Sequence, residues 1–283
     1  MAGGWRLSRK RVAWLLAIGV LFVVVTAARG DGFTPQIIGL VLLCFCCELV
    51  DSSLGMGYGT ALTPILLAGG YSPLQLVPSV LCSELLSGFA SSYFHHDSGN
   101  VDFSRRTRDS RVALLLALGS VVGVVVGVSI AVRVPADVLR AIIGAIITGA
   151  GATVWILHTR TFAYRTWKMF ALASVASFNK ALSGGGYGPL MTSGQVLSGI
   201  RGKSSVGITS FAEGFTCLVG VILFLDRGQR FDYDLLVPMV TGALLSVPLS
   251  TEFVRHVDET KMKRLIAGVT VLLGLFTLFK VVV

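Results

Sequence analysis

Apolar residues fall into long blocks, roughly 12–28, 36–53, 74–96, 111–132, 136–158, 166–182, 203–225, 234–254 and 261–282, with the charged residues gathered between them. Most blocks reach the ~20 residues that a helix needs to cross a hydrocarbon core of ~30 Å. The pattern predicts an all-α, polytopic membrane protein. Two blocks break at a glycine cluster: "LGMGYGT" covers Leu54 to Thr60, and "SGGGYGP" covers Ser183 to Pro189. Behind each cluster runs a short apolar stretch, 60–69 and 189–199. About eleven residues at 1.5 Å each span only ~17 Å, half a bilayer.

The two clusters belong to a longer repeat. At an offset of 129, Gly55, Gly57, Tyr58 and Gly59 fall on Gly184, Gly186, Tyr187 and Gly188. Gly70 falls on Gly199, Glu84 on Glu213 and, one insertion later, Asp102-Phe103 on Asp232-Tyr233. The chain reads as an N-terminal segment with an extra helix (1–34), a first half (35–158), a linker (159–165) and a second half (166–283). The first block is either an uncleaved span or a cleaved signal, since Thr26-Ala27-Ala28 offers small residues at its end. Multispan proteins insert without cleavage, which favours the former.

Charge chooses between a hairpin and one kinked span at each glycine cluster. With hairpins, the basic clusters at 6–11, 105–111, 160–168, 201–203 and 255–264 all lie on one side. Only scattered residues such as Arg29, Arg133, Arg140, Arg227, Arg230 and Lys280 lie on the other. Single spans distribute the charge almost evenly. The positive-inside rule selects hairpins, with the N-terminus cytoplasmic. The expected architecture is seven full crossings and two re-entrant, glycine-tipped hairpins, the halves inverted relative to each other as in many transporters.

Composition adds limits. Hydrophobic residues make up 53% and charged residues 14% of the 283, with a mean hydropathy of +0.77, well below the charge of a soluble domain. The net charge of +9 marks cytoplasmic loops rather than a nucleic-acid surface. Cys44, Cys46, Cys47, Cys82 and Cys217 all sit inside apolar blocks without a CxxC, so they read as small apolar residues. No metal or other cofactor is expected.

Each cluster leads into a half-helix whose amides point out of a positive dipole end, an arrangement that attracts anions. A potassium filter instead presents carbonyls from four chains. Glycine also permits close helix packing, and for a single glycine that is the better reading. For two clusters in inverted halves, ligand binding is favoured. The candidate substrate contacts are Gly55, Gly57, Tyr58, Gly59, Thr60, Ser183, Gly184, Gly186, Tyr187, Gly188, Thr209, Ser210 and Lys180. Lys180 lies opposite Asp51 at the same offset, either as countercharge for an anion or as half of a buried pair with Asp51.

Glu84 and Glu213 fall at mid-span, where desolvation disfavours a charged acid, which suits a proton carrier. Glu48, one turn before Asp51, is a weaker candidate of the same kind. Ser79, Ser83, Thr192, Ser193 and Ser204 also place hydroxyls near the cluster mouths, where bonding to an i−4 carbonyl is the commoner role. His95-His96-Asp97 reads as interfacial, without a third metal ligand. Asp102 and Asp232 read as helix N-caps.

These residues resemble the sulfite exporter TauE/SafE family over nearly everything after residue 35. The likeness rests on the paired glycine clusters, on "TPILL" (63–67) and "SSVGITS" (204–210) behind them, and on "GNVDF" and "GQRFDYD" opening the next helix of each half. It implies a bacterial inner-membrane protein that moves sulfite or a related organosulfur anion, generally outward. The two halves differ in detail: Val80-Leu81 stands where the second has Thr209-Ser210, and Pro64 stands opposite Ser193. A secondary transporter, with protons as a coupling ion, is the leading expectation, and a passive anion channel or an importer of another small oxyanion is the alternative. The spans offer no Ser–His pair and no second Asp placed like Asp51, so no enzyme is expected. The oligomeric state is not legible.

Overall fold

A computed structural model describes residues 7–30, 32–135 and 165–262 continuously, with isolated positions between 138 and 142 and between 264 and 272. The expected spans at 136–158 and 261–282 therefore lie largely outside the described residues, as do Arg6, Arg140, Arg160, Lys263 and Lys280. The described elements are α1 (Arg9–Ala28), α2 (Pro35–Leu54), α3 (Tyr58–Ala68), α4 (Pro73–Asp97), α5 (Arg108–Ala131), α6 (Thr166–Ser183), α7 (Tyr187–Leu197), α8 (Gly202–Asp226) and α9 (Tyr233–His256). Six of these, α1, α2, α4, α5, α8 and α9, are long and apolar enough to cross a membrane.

Local chemistry sets the helix ends. Thr34 caps α2 by accepting from the Ile37 amide, with Pro35 just inside, where proline's missing N–H costs nothing. Ser72 and Pro73 repeat the device at α4. Asp232 caps α9 through the amides of Asp234 and Leu235. Asp102, expected to act likewise for α5, does not: Thr107 is that cap. Asp102 folds its own loop by accepting from the Ser104 amide at 2.9 Å. Hydrogen bonds from the Ser104 side chain and amide hold its carboxyl below the usual range. The insertion between Asp102 and the start of α5 accounts for the difference.

The helices pack by exchange. α2 lies against α9 and α6 against α5, while α4 and α8 pack on each other in the middle; α9 also packs on α4, and α5 on α8. Each opening helix is thus held by the last described helix of the other half. Gly119, Gly123 and Gly127 line the face of α5 where the α6 backbone passes, as small residues do at close helix crossings.

α1 is tied to α9 and α4 by polar contacts. The Arg11 guanidinium, counted from sequence as a loop charge, is 2% exposed. It pairs with Glu252 at 3.1 Å and donates to the Ser98 hydroxyl and the Pro248 carbonyl. Pro248 leaves the Leu244 carbonyl without its helical donor, and the Trp14 indole supplies one at 3.0 Å.

Candidate functional site

Both glycine clusters end a helix in the same way. α2 and α6 end on Gly55 and Gly184, each in the left-handed conformation at φ 70°, where a side chain is disfavoured. α3 and α7 then start at Tyr58 and Tyr187. Each is eleven residues long, or about 16 Å.

The two breaks lie back to back. A side chain at Gly59 would run into the backbone of Gly184 and Gly185, and one at Gly188 into Gly55 and Met56. These contacts are reciprocal at the offset of 129. The Gly186 amide donates to the Thr60 hydroxyl at 2.9 Å, and the Thr192 hydroxyl donates to the Gly55 carbonyl at 2.7 Å. The glycines here serve close backbone approach between the halves. Tyr58 and Tyr187, both fully buried, anchor the short helices through Ser83 at 2.8 Å and Ser120 at 3.1 Å.

Charge is concentrated at this contact. Lys180, 1% exposed, donates to Glu213 Oε1 at 2.7 Å and pairs with Glu84 on its other side. The candidate pair with Asp51 does not form. Asp51 instead turns back to accept from the Tyr58 amide at 3.1 Å. Glu84 also accepts from the Gly59 amide at 3.3 Å. At the first tip the chain's own carboxylates thus take the first two amides of α3.

The remaining candidates scatter. The Ser183 hydroxyl donates to the Asn179 carbonyl at 2.9 Å and accepts from the Gly185 amide, shaping the second break. Thr209 accepts from Thr192 and Gln195, one step behind Gly55. Ser210 bonds to the Val206 carbonyl and to Ser91 on α4, away from either break. Glu48 accepts from Ser52 at 2.6 Å through one oxygen, while its other oxygen is buried without a partner. His95 is fully buried rather than interfacial. One ring nitrogen meets the Ser52 carbonyl at 2.8 Å, closing the α2 C-terminus, and the other meets Asn100 at 3.0 Å. Among the described residues no group of three His, Cys, Asp or Glu side chains is placed to hold a metal.

Residues that the sequence did not mark also reach the breaks. The Asn179 Nδ2 lies against Gly186 and the Thr63 hydroxyl against Gly184, and both atoms are buried without a partner. The signal in sequence was faint: an Asn beside Lys180 in an apolar block, and a Thr inside "TPILL".

A family model described as "Sulfite exporter TauE/SafE" matches residues 40–277. The chain belongs to that family. The TauE/SafE match covers both breaks and all three groups of the Glu84–Lys180–Glu213 cluster, and with the six apolar helices it makes the chain a multi-pass membrane transporter. The chain is 25% identical over 244 residues, 82% of its own length and 79% of the relative's, to the probable membrane transporter protein YtnM of Bacillus subtilis (strain 168). No solved structure matches the chain.

Proposed function

We propose that the chain exports sulfite or a related small sulfur oxyanion across the bacterial inner membrane as a secondary transporter, its N-terminus in the cytoplasm. Two halves of opposite orientation, each opening with a re-entrant hairpin, alternate access to a site between the breaks. The reciprocal break contacts at one offset and the exchanged helix packing support this reading, because an inverted repeat makes the same contact twice. The family supplies the substrate class.

The observation that carries the proposal is Lys180, a buried ammonium shared by two carboxylates where the halves meet. One positive charge cannot neutralise two negative ones, so the closed cluster has a place for a proton. A proton on Glu84 or Glu213 frees Lys180 for an anion, and an anion on Lys180 frees a carboxylate for a proton. Anion and proton movement are thereby coupled.

Flux of labelled sulfite in proteoliposomes, with and without an imposed pH gradient, tests this. The expected result is saturable flux that responds to the gradient, with the response lost in Glu84→Gln and Glu213→Gln. Flux that rises linearly with concentration and ignores the gradient is that of a passive channel and overturns the proposal.

A further inference from the structure

The two breaks share their helix-ending glycines and their close approach, differ at the glycine that opens the next helix (Gly57 at φ 138°, Gly186 at φ 75°), and are opposed in chemistry. At the first, the amides of Tyr58 and Gly59, which open α3, receive the carboxylates of Asp51 and Glu84. At the second, the equivalent amides of Tyr187 and Gly188 receive no side chain among the described residues. One position accounts for both differences. Lys180 stands where the repeat would place an equivalent of Asp51, and an ammonium has no lone pair to offer the Tyr187 amide. The same ammonium draws Glu213, the equivalent of Glu84, to 2.7 Å. Gly188 is thus left without the carboxylate that its counterpart Gly59 has.

Unused donors also collect at the second break. Asn179 is 3% exposed and Thr63 fully buried. The Asn179 amide oxygen is engaged by Ser183 at 3.2 Å, which leaves its Nδ2 unpartnered against the N-cap of α7. The Thr63 hydroxyl is unpartnered beside Gly184, whereas its counterpart Thr192 donates to the Gly55 carbonyl. Buried donors without partners are costly; one lies at the N-cap of α7 and the other at the C-cap of α6, on the two sides of the same break, where an acceptor arriving from outside would satisfy them.

We infer that the transported anion is held at the second break alone, by the amides of Tyr187 and Gly188, the Asn179 Nδ2 and the Thr63 hydroxyl, with Lys180 as its countercharge. This rests on the transport reading above and deepens it. The ligand class is a small oxyanion whose several oxygens accept from donors on three sides, as a sulfite or sulfonate head does. The first break excludes such a ligand, because Asp51 and Glu84 occupy its amides and Glu48 adds a third carboxylate on the same side. The alternating halves therefore work around one off-centre site, and the first break is its counterweight.

Binding of sulfite and of methanesulfonate to the purified full chain in nanodiscs tests the assignment. Asn179→Ala and Thr63→Val each remove one donor to a charged ligand and are expected to weaken binding about tenfold or more. Thr192→Val, the counterpart at the first break, is expected to leave affinity within about twofold of wild type. Thermal unfolding of each variant separates lost binding from lost fold, and Thr63→Val, which breaks no existing bond, guards against an Asn179 variant that does not fold. Wild-type affinity in both Asn179→Ala and Thr63→Val overturns the assignment while leaving transport intact. An equal loss in Thr192→Val also overturns it. No binding of either anion by the wild-type chain overturns the transport reading together with the assignment.

Discussion

The first glycine break is closed by acids and the second is left open beside a base, although one backbone design serves both. Left-handed Gly55 and Gly184 end the preceding helices identically, and Gly59 and Gly188 press on the opposite backbone in the same manner. The difference lies in side chains at equivalent positions: Asp51 against Lys180, and a bonded Thr192 against an unbonded Thr63. A scaffold that sets two such breaks back to back needs them alike where their backbones press on each other. A pathway for a charged substrate needs asymmetry, since two equal sites would each hold half the task. Here the backbone carries the first requirement and a few side chains the second.

The largest effect is expected where the breaks are equal. Gly59→Leu and Gly188→Leu each force a side chain into backbone of the other half. Backbone cannot yield as a flexible side chain can, so each is expected to cost more than about 4 kcal/mol and to prevent recovery of folded protein. Size-exclusion profiles and thermal unfolding in detergent check this. A difference between the two variants would break the reciprocity on which the comparison stands.

A smaller and unequal effect is expected at the charged positions. Lys180→Met leaves Glu84 and Glu213 buried and facing each other, at a cost of about 3 kcal/mol, and is expected to abolish sulfite flux. Asp51→Asn keeps an oxygen that can accept from the Tyr58 amide, so a cost near 1 kcal/mol is expected. Unfolding and flux measured together on both variants decide the point. Equal losses would mean that the breaks share the charge function after all.

Much of the frame was readable before any coordinates. Within the described residues the apolar blocks became helices, and the glycine clusters became breaks between Leu54 and Tyr58 and between Ser183 and Tyr187. Partners were harder, for a geometric reason. Positions related by a repeat are symmetry mates, and mates touch only near the axis that relates them. Glu84 and Glu213 meet on Lys180. Asp51 and Lys180 do not meet: the short Asp51 side chain reaches its own break, while the long Lys180 stem crosses to α4 and α8. Counting charge by side also did not reveal the partner of Arg11, because the positive-inside rule weighs charges without asking which are paired in the interior. Thr63 and Asn179 escaped notice because a single hydroxyl or amide in an apolar block most often bonds to its own helix.

The smallest effect is the most discriminating, because stability and binding are expected to move in opposite senses. Thr192→Val removes a donor from the Gly55 carbonyl at the end of α2, and a cost of about 1 kcal/mol is expected. Thr63→Val replaces a buried hydroxyl that has no partner with a methyl of nearly the same shape, so stability is expected to stay within about 0.5 kcal/mol or to rise. Sulfite affinity is expected to reverse that order, nearly unchanged in Thr192→Val and weakened in Thr63→Val. A residue kept only for packing cannot be lost without harm to the fold and still be missed by the ligand. Parallel melting and binding curves on the two valine variants separate those roles, and a Thr63→Val chain that loses stability while keeping its affinity would return the second break to plain scaffold.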